Sequence, residues 1–486
     1  MDSFVYGIDT GIIASTIAQQ TFKSYMYGES MKNVSIQAGV VSGYYAGSAF
    51  GSAGSAYSMD KISRRWTLLF GSCVSIVGAV LQTAAINPAM MIVGRALSGF
   101  STGMVYPTAP VYLAELSPPE NRGFLVGLKG LMNTLGFFTA GWVGYAGSFA
   151  SGDAQWRIPL ATQIPPALAL ALVTIVLPYS PRWLASKERH DEAKAVMYKL
   201  HTHRGAETIE AEFAEMCQQI QLEKSKKNMA NFWTLFTKQY IRRTLLAVLI
   251  VNMMKLSGSN VIQNYQSVMY ENLGYQGQTV LLIGALYGFM AVVGQIINVF
   301  FVADHWTRRT TVIQGMSVLA LLLSVLTALS KYSEGDTSNV HMQRAGVAFV
   351  FLFAFSYSFY FNSVNWVLVA EIFPLDLRGV GVGFAVFTQA VTAIWLSYAA
   401  SLAFDAITWK FYFVFIAMNV FAGTVYYFFL PETRFLSLEE VAAKFGDEIV
   451  QHPEAKQVED EDVREQEREM DTKESGTSSN HVEATR

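Results

Sequence analysis

Eleven apolar runs of about 20 residues recur along the chain, and they constrain its fold more than any other feature of the sequence. An α-helix of that length can cross the hydrocarbon core of a bilayer. Of the 486 residues, 52% are hydrophobic and only 15% are charged, which excludes an ordinary soluble domain. We therefore predict an all-α membrane protein. The runs are Gln37–Ser58, Trp66–Ile86, Met90–Leu113, Phe124–Phe149, Ile158–Pro178, Arg243–Val268, Thr279–Val302, Thr311–Leu329, Ala345–Val369, Val380–Ala403 and Phe411–Leu430.

The start of the chain forms a twelfth run that is incomplete. Met1 stands only a few residues before the polar Asp9, where a full span would need more apolar residues upstream. Either the sequence begins inside its first helix, which we favour, or the first helix is unusually short. We predict twelve transmembrane helices, the first of them truncated.

Two charged motifs recur about half a chain apart. ELSPPENRG (Glu115–Gly123) is matched by EIFPLDLRG (Glu371–Gly379), and DKISRR (Asp60–Arg65) by DHWTRR (Asp304–Arg309). The offsets are 371 − 115 = 256 and 304 − 60 = 244 residues, close enough to describe one duplicated half. We predict two pseudo-symmetric six-helix bundles. The expected domains are an N-terminal bundle at 1–178, a linker with short amphipathic helices at 179–242, a C-terminal bundle at 243–430 and an acidic tail at 431–486.

Basic residues in the short loops predict the orientation in the membrane. DKISRR, ENRG, the stretch from Arg182 to Arg243, DHWTRR and LDLRG lie on one side, whereas the opposite loops carry few positive charges. The basic side is expected to be cytoplasmic, with both termini, and the expected location is the plasma membrane. The composition thus predicts the lipid bilayer as a partner. No pattern of residues typical of nucleic-acid binding is visible, so we predict no nucleic-acid partner. No nucleophile and base pairing, metal cluster or phosphate loop stands out, so we predict no enzyme, cofactor or metal site.

Arg95 lies inside the apolar run Met90–Leu113. An arginine at the centre of a bilayer costs roughly 3 kcal/mol on insertion scales. Its side chain should therefore face a watery cavity or a carboxylate, and it marks a pathway through the protein.

Several motifs in a fixed order resemble the sugar porters of the major facilitator superfamily, particularly fungal hexose-type transporters. The resemblance covers nearly the whole chain. It implies alternating access between two six-helix bundles around a central sugar site. The motifs are GIDTG (Gly7–Gly11), DKISRR, the stretch from Arg95 to Gly123, PYSPRWL (Pro178–Leu184), LSGSN (Leu256–Asn260), EIFPLDLRG and PETRFLSLEE (Pro431–Glu440).

Asp9 is the sharpest candidate for proton coupling. A carboxylate within a membrane helix is costly and is readily switched by a proton or by a nearby cation such as Arg95. In proton-coupled members of the family the matching positions are an aspartate and an arginine, so the resemblance implies that Asp9 is the proton site and Arg95 its modulator. The alternative is a structural ion pair.

Charged residues at the cytoplasmic helix ends are the candidate gate. Acidic groups there can pair with basic groups of the opposing bundle and separate when the inner side opens. The alternative is that they only fix the topology. The candidates are Asp60, Arg64, Arg65, Glu115, Arg122, Arg182, Asp304, Arg308, Arg309, Glu371, Arg378 and Glu432.

The candidate substrate site is polar and aromatic. In span seven, Asn260, Gln263, Asn264 and Ser267 follow i, i+3, i+4, i+7, which is one face of a helix. Amides donate and accept hydrogen bonds at once, which suits sugar hydroxyls, although any single one could be a helix-packing contact. The expected substrate-binding residues are Asn260, Gln263, Asn264, Tyr265, Gln295, Asn365, Trp366, Gln389 and Lys255, with Tyr357, Tyr360 and Asn362 nearby in span ten.

The sequence also departs from the family. Gly130 stands where span five usually has a sugar-binding glutamine, Tyr179 replaces the glutamate of PESPR, and NSVNW (Asn362–Trp366) replaces GPIPW. Loss of the prolines should stiffen span ten. Lys255 is a cation inside a span. Three roles are open to its side chain: it pairs with a carboxylate such as Asp9, it extends to a membrane interface, or it binds an anionic substrate.

Together these features predict a secondary transporter that moves a monosaccharide inward with a proton. One alternative is a carrier of a sugar acid or quinate-like anion, for which Lys255 is the argument. Another is a sensor that binds sugar without transporting it.

Overall fold

A computed structural model of the protein consists of α-helices joined by short turns, with no β-strand in the residues that it describes. Those residues are 1–28, 33–116, 122–200, 209–210, 213–214, 216–218, 220–221, 232–302, 306–335, 340–373, 375–432 and 445. Within them, the side chains of residues 56, 60, 114, 122–127, 333–335, 367, 370–371, 375–376, 378–379 and 405 fall outside the description.

The first half of the chain forms the N-terminal bundle. Each predicted span of this half coincides with a helix or with two consecutive helices, and the incomplete first run is a helix that begins at Asp2. The helices are α1 (Asp2–Ala18), α2 (Gln20–Tyr27), α3 (Val34–Lys61), α4 (Arg64–Thr83), α5 (Pro88–Leu116), α6 (Arg122–Gly147), α7 (Ala154–Ala161) and α8 (Ile164–Val176).

Two short helices follow on the linker, α9 (Pro181–Ser186) and α10 (His190–Leu200). They pack on each other around Trp183, Leu184 and Ala193. The side of the molecule where they lie, next to the start of α4 and the end of α5, is called the linker side, and the opposite end is called the far side.

The second half forms the C-terminal bundle. Three of its spans are interrupted, after Leu256, Ile297 and Tyr360. The helices are α11 (Ile241–Leu256), α12 (Ser259–Asn272), α13 (Gln278–Ile297), α14 (Arg308–Gly335), α15 (Val340–Tyr360), α16 (Val364–Ile372), α17 (Leu375–Ala406) and α18 (Tyr412–Phe429), with a short π-helical turn at Asn298–Val302.

The two bundles repeat one packing pattern. In the first, α1 packs on α6, α3 on α5, and α4 on both α5 and α8. In the second, the corresponding helices pair in the same way: α11 with α17, α13 with α15, and α14 with both α15 and α18. Between the bundles, α3 packs on α17 and α6 on α13. The internal repeat seen in the sequence is thus a structural repeat.

Close helix packing in the N-terminal bundle depends on glycine. A Cβ atom added to Gly99 of α5 would lie 1.8 Å from the main-chain oxygen of Tyr44 in α3. No side chain fits at that separation, so α3 and α5 can approach this closely only because the residue is glycine.

The outer surface is apolar, as expected of a protein that crosses a membrane several times. Large side chains such as Phe50, Val176 and Leu321 are 75%, 84% and 65% exposed. Eight helical stretches of the described chain are long and apolar enough to span a bilayer by length and composition. Four further long stretches, α1 with α2, α3, α5 and α6, complete the layout of twelve.

Candidate functional site

A cavity lies between the two bundles. It encloses about 1100 Å³ of empty space, including the part that opens to solvent. Helices of both bundles supply its wall: α1, α3, α5 and α6 from the first, and α11 to α13 and α15 to α17 from the second. Its polar and aromatic side chains are Tyr6, Thr10, Tyr44, Tyr45, Ser48, Thr102, Tyr106, Asn133, Thr134, Phe137, Lys255, Gln263, Tyr287, Tyr357, Ser358, Asn362, Trp366 and Gln389.

Four of the expected substrate-binding residues line this cavity: Lys255, Gln263, Trp366 and Gln389. The amide Nε2 of Gln389 donates to the main-chain oxygen of Val251 at 2.8 Å, which fixes its orientation in the wall. The ring of Trp366 meets the ring of Tyr106 edge to face at 5.6 Å, so the two bundles touch there. An indole and amides around one space can hold a hydroxylated ring.

The other five expected ligands, Asn260, Asn264, Tyr265, Gln295 and Asn365, do not line the cavity. Their polar groups lie within the protein, each with at most 3% of the residue exposed.

The asparagines of α12 face the N-terminal bundle and bind Tyr45 of α3. The Tyr45 hydroxyl donates to Asn260 Oδ1 at 2.6 Å and accepts from Asn264 Nδ2 at 3.0 Å. Further along the helix, Ser267 Oγ donates to the main-chain oxygen of Ala14 at 3.3 Å. Three of the four polar residues at this spacing, Asn260, Asn264 and Ser267, thus contact the N-terminal bundle.

A break in the helix before α12 determines which way the polar face of α12 points. Gly258 has φ +98°, a left-handed conformation that glycine adopts without a Cβ clash. Inside α12 the helix is also kinked at Tyr265, whose φ is −117° and ψ 17°. The kinked helix buries Tyr265 in its own bundle, where its hydroxyl donates to the main-chain oxygen of Ser397 at 2.8 Å.

Gln295 occupies the space beside Gly130. A Cβ atom on Gly130 would lie 2.8 Å from Gln295 Nε2 and 3.2 Å from Ser363 Oγ. The Gln295 amide donates to Ser363 Oγ at 2.9 Å. Gln295 of α13, in the opposite bundle, thus fills the space that a side chain at position 130 would take.

Span ten is interrupted, although its prolines are absent. Helix α15 ends at Tyr360 and α16 begins at Val364. Asn362 Nδ2 donates to Thr134 Oγ1 of the other bundle at 3.0 Å, and Ser363 accepts from Gln295. The expected stiffening is wrong, because side-chain hydrogen bonds in this turn compete with helix formation.

Asp9 and Arg95 lie together behind the N-terminal wall, each 1% exposed. Arg95 Nη1 donates to the main-chain oxygen of Asp9 at 3.0 Å, and the guanidinium lies 4.5 Å from the centroid of the Tyr44 ring. Thr102 Oγ1 is 3.5 Å from Asp9 Oδ2. Within the described residues, Asp9 Oδ1 has no hydrogen-bond partner. The carboxylate is thus held close to the arginine without a direct ion pair, next to two residues, Tyr44 and Thr102, that line the cavity.

Lys129 of α6 is a residue that the sequence analysis missed. Its ammonium donates to the main-chain oxygen of Tyr106 at 3.3 Å and lies 3.9 Å from the Tyr106 ring centroid and 5.8 Å from that of Trp366. The signal was present, since a lysine inside the run Phe124–Phe149 is as unusual as Arg95 in its own run.

Some charged groups on the linker side have contacts within their own bundle. Arg64 Nη2 and Glu115 Oε1 are 3.0 Å apart, and both belong to the N-terminal bundle. The Glu432 carboxylate accepts from the main-chain N–H groups of Arg308 and Arg309 at 3.0 and 3.1 Å. The expectation that such groups bind the opposing bundle stays a prediction, because Arg64, Arg308 and Glu432 also make contacts beyond these. The side chains of Asp60, Arg122, Asp304, Glu371 and Arg378 lie outside the described residues, and Arg182 is in α9.

Tyr179 replaces an expected carboxylate with an aromatic contact. The Arg65 guanidinium lies 5.2 Å from the Tyr179 ring centroid, and the Tyr179 hydroxyl accepts from Trp66 Nε1 at 3.0 Å. The basic residue of this motif is therefore held by a cation–π contact.

Ionic and polar contacts on the far side do cross between the bundles. Lys23 Nζ and Glu271 Oε1 form an ion pair at 2.8 Å. Ser401 Oγ donates to the main-chain oxygen of Val34 at 3.3 Å. With the Tyr45 contacts, they join the two bundles on the far side.

Comparisons with known proteins agree with this architecture. The model of the family described as "Sugar (and other) transporter" matches residues 1–445. The MFS-type transporter criB of Aspergillus cristatus is 33% identical over 455 residues, covering 93% of each chain. A high-affinity glucose transporter of Kluyveromyces lactis is 28% identical over 466 residues, covering 92% of this chain and 84% of that one. The fold is similar to that of the proton:xylose symporter XylE of E. coli bound to 6-bromo-6-deoxy-D-glucose, with a TM-score of 0.76 at 20% identity, covering 91% of this chain and 97% of that one.

Proposed function

Because the chain belongs to the family of sugar and related transporters, we propose that it imports a monosaccharide, a hexose or a pentose, by alternating access. The observation that carries this proposal is the cavity between the bundles, with Trp366, Gln389 and Gln263 in one wall. A sugar ring stacks on the indole, and its hydroxyls exchange hydrogen bonds with the amides.

Alternating access requires contacts between the bundles that can break on one side at a time. Tyr45 with Asn260 and Asn264, and Lys23 with Glu271, serve as the far-side gate. Trp366 and Tyr106, whose rings meet between the bundles, serve as the proposed gate on the linker side. The Arg64–Glu115 pair in one bundle and the Glu432 hydrogen bonds in the other stabilise helix ends while the bundles rock.

Asp9 is the proposed proton site. Its free Oδ1 can take a proton, and Arg95 holds the main chain at the same residue. The symporter with the similar fold is described as proton-coupled. One proton moves one positive charge, and 100 mV is worth roughly 2.3 kcal/mol per charge, which corresponds to about fifty-fold accumulation.

The proposed setting is the plasma membrane, with the linker side and both termini in the cytoplasm. The basic loops between the spans support this orientation. The proposed division is an N-terminal bundle at 1–178, a linker at 179–242, a C-terminal bundle at 243–430 and a tail at 431–486.

Uptake by the purified full chain in proteoliposomes tests the proposal. With an acidic outside and an inside-negative potential, labelled D-glucose or D-xylose should accumulate above the external concentration, and a protonophore should abolish the accumulation. A chain that equilibrates sugar but never concentrates it would contradict proton coupling. Binding of sugar without any uptake would identify a sensor.

A further inference from the structure

Two lysines of the transport pathway have no carboxylate partner nearby. Neither Lys255 nor Lys129 lies within 4.0 Å of a carboxylate oxygen in the described part of the chain. Asp2, the acidic residue whose charge acts on Lys129, lies beyond that distance. Both ammonium groups belong to membrane-spanning helices, where an uncompensated cation is costly.

The sequence allows three roles for Lys255, and its position in the structure fits only one of them. Its ammonium is not paired with Asp9, and it lines the central cavity, so it has not snorkelled to a membrane interface. Its Nζ atom lies 5.5 Å from the centroid of the Tyr45 ring. The remaining role is to meet a negative charge that enters the cavity.

A neutral sugar does not supply that charge. Its hydroxyls give ordinary hydrogen bonds, whereas a carboxylate gives the ammonium a charge-assisted one, which is roughly twice as strong. Resting on the proposed function, we propose that the carrier prefers acidic monosaccharides such as hexuronates to the neutral sugar of the same ring. Lys255 binds the carboxylate in the cavity.

Lys129 extends this path toward the linker side. It lies 129 − 122 = 7 residues from the start of α6 and packs against Tyr106 and Trp366, two rings of the cavity wall. When these rings part, the carboxylate passes from Lys255 to Lys129 on its way out. The anion thus binds first to one cation and then to the other, so neither site traps it.

The charge balance gives this proposal a distinctive consequence. A neutral hexose with one proton carries one positive charge into the cell. A hexuronate with one proton carries none, since its negative charge cancels that of the proton. Uptake of the acid should therefore respond to the pH gradient and not to the membrane potential.

The test uses the full chain in proteoliposomes with D-glucuronate and D-glucose, which differ only at C6. Half-saturating concentrations are measured in one preparation, so their ratio does not depend on how much carrier is folded. We expect the half-saturating concentration of glucuronate to be at least about tenfold lower than that of glucose. Lys255→Met should bring the ratio close to one, and Lys255→Arg should preserve it. Lys129→Met should lower the maximal rate for glucuronate more than that for glucose.

Equal half-saturation in the unaltered chain, or a preference for glucuronate that survives Lys255→Met, would overturn the proposal. A valinomycin-imposed potassium potential provides the second readout. It should stimulate glucose uptake and leave glucuronate uptake unchanged, and stimulation of both would also overturn the proposal. Failure of the proposed function looks different: neither sugar enters, or neither responds to the pH gradient.

Discussion

The two walls of the cavity differ in their chemistry. Behind the N-terminal wall lie the charges of Asp9 and Arg95, whereas the C-terminal wall presents the Gln389 amide, the Trp366 indole and the Lys255 ammonium. A buried carboxylate responds to protons and to voltage, whereas amides, aromatic rings and an ammonium that lines the cavity recognise the solute. The difference suggests that driving force and solute recognition belong to different bundles, so substitutions should separate them.

Asp9→Asn should have the largest effect. Removing the titratable group should reduce an accumulation of about fifty-fold to equilibration, while exchange of labelled for unlabelled sugar continues. Accumulation and exchange are measured in the same proteoliposomes. Asp2→Asn, which changes another carboxylate of α1, is the control and should leave accumulation intact.

Trp366→Ala should weaken recognition without uncoupling the proton. Loss of the ring that faces the solute should raise the half-saturating concentration about tenfold, equivalent to about 1.4 kcal/mol. The accumulation reached at saturating sugar should persist. Trp142→Ala is a matched control, because Trp142 is 38% exposed and does not line the cavity. An unchanged half-saturation would remove Trp366 from the binding wall.

Tyr45→Phe tests the contact that joins the two regions. Loss of the hydroxyl leaves Asn260 and Asn264 without their partner in the other bundle and should shift the equilibrium toward a far-side-open state about fivefold, or about 1 kcal/mol. Distances between spin labels at Ser24→Cys and Gln276→Cys, two exposed far-side positions, in a chain with Cys73→Ser and Cys217→Ser, would report this opening.

The adjacent Tyr44→Phe is the matched control for that measurement. The Tyr44 hydroxyl donates to Thr102 of its own bundle at 3.1 Å, so its loss should leave the far-side distances unchanged. Equal shifts in the two variants would mean that the Tyr45 contact is no gate.

Glu115→Gln should have the smallest effect on transport. The Arg64–Glu115 pair lies within one bundle, with 13% and 9% of the two side chains exposed, and should contribute about 1 kcal/mol to stability. We expect a melting temperature lower by about 1 to 3 °C and a transport rate changed less than about twofold. A large loss of transport would contradict this purely structural role and support Glu115 as a gate residue.

Much of the fold could be predicted from the sequence, because each membrane helix is marked by an apolar run within its own segment of the chain. Every apolar run became a helix or two consecutive helices, and the repeated charged motifs predicted the repeated packing. The interruption at Asn362 could not be foreseen, since it depends on Thr134 and Gln295, which are distant in the sequence.

The site could be predicted only in part, for a related reason. The spacing of Asn260, Gln263 and Asn264 identified the face that meets the other bundle, but not which of these amides would find a partner there. Partner identity depends on Tyr45, which lies more than two hundred residues away. Periodicity along one helix carries no information about such a contact.

Comparing Asp9→Asn with Gln389→Ala in one set of proteoliposomes tests the separation of the two walls most directly. The quantities are the accumulation ratio under a proton gradient and the half-saturating concentration for exchange. We predict that Asp9→Asn abolishes accumulation and leaves half-saturation within about twofold, whereas Gln389→Ala raises half-saturation about fivefold, for the loss of about 1 kcal/mol, and leaves accumulation intact. If either substitution changes both quantities together, driving force and recognition are not divided between the bundles.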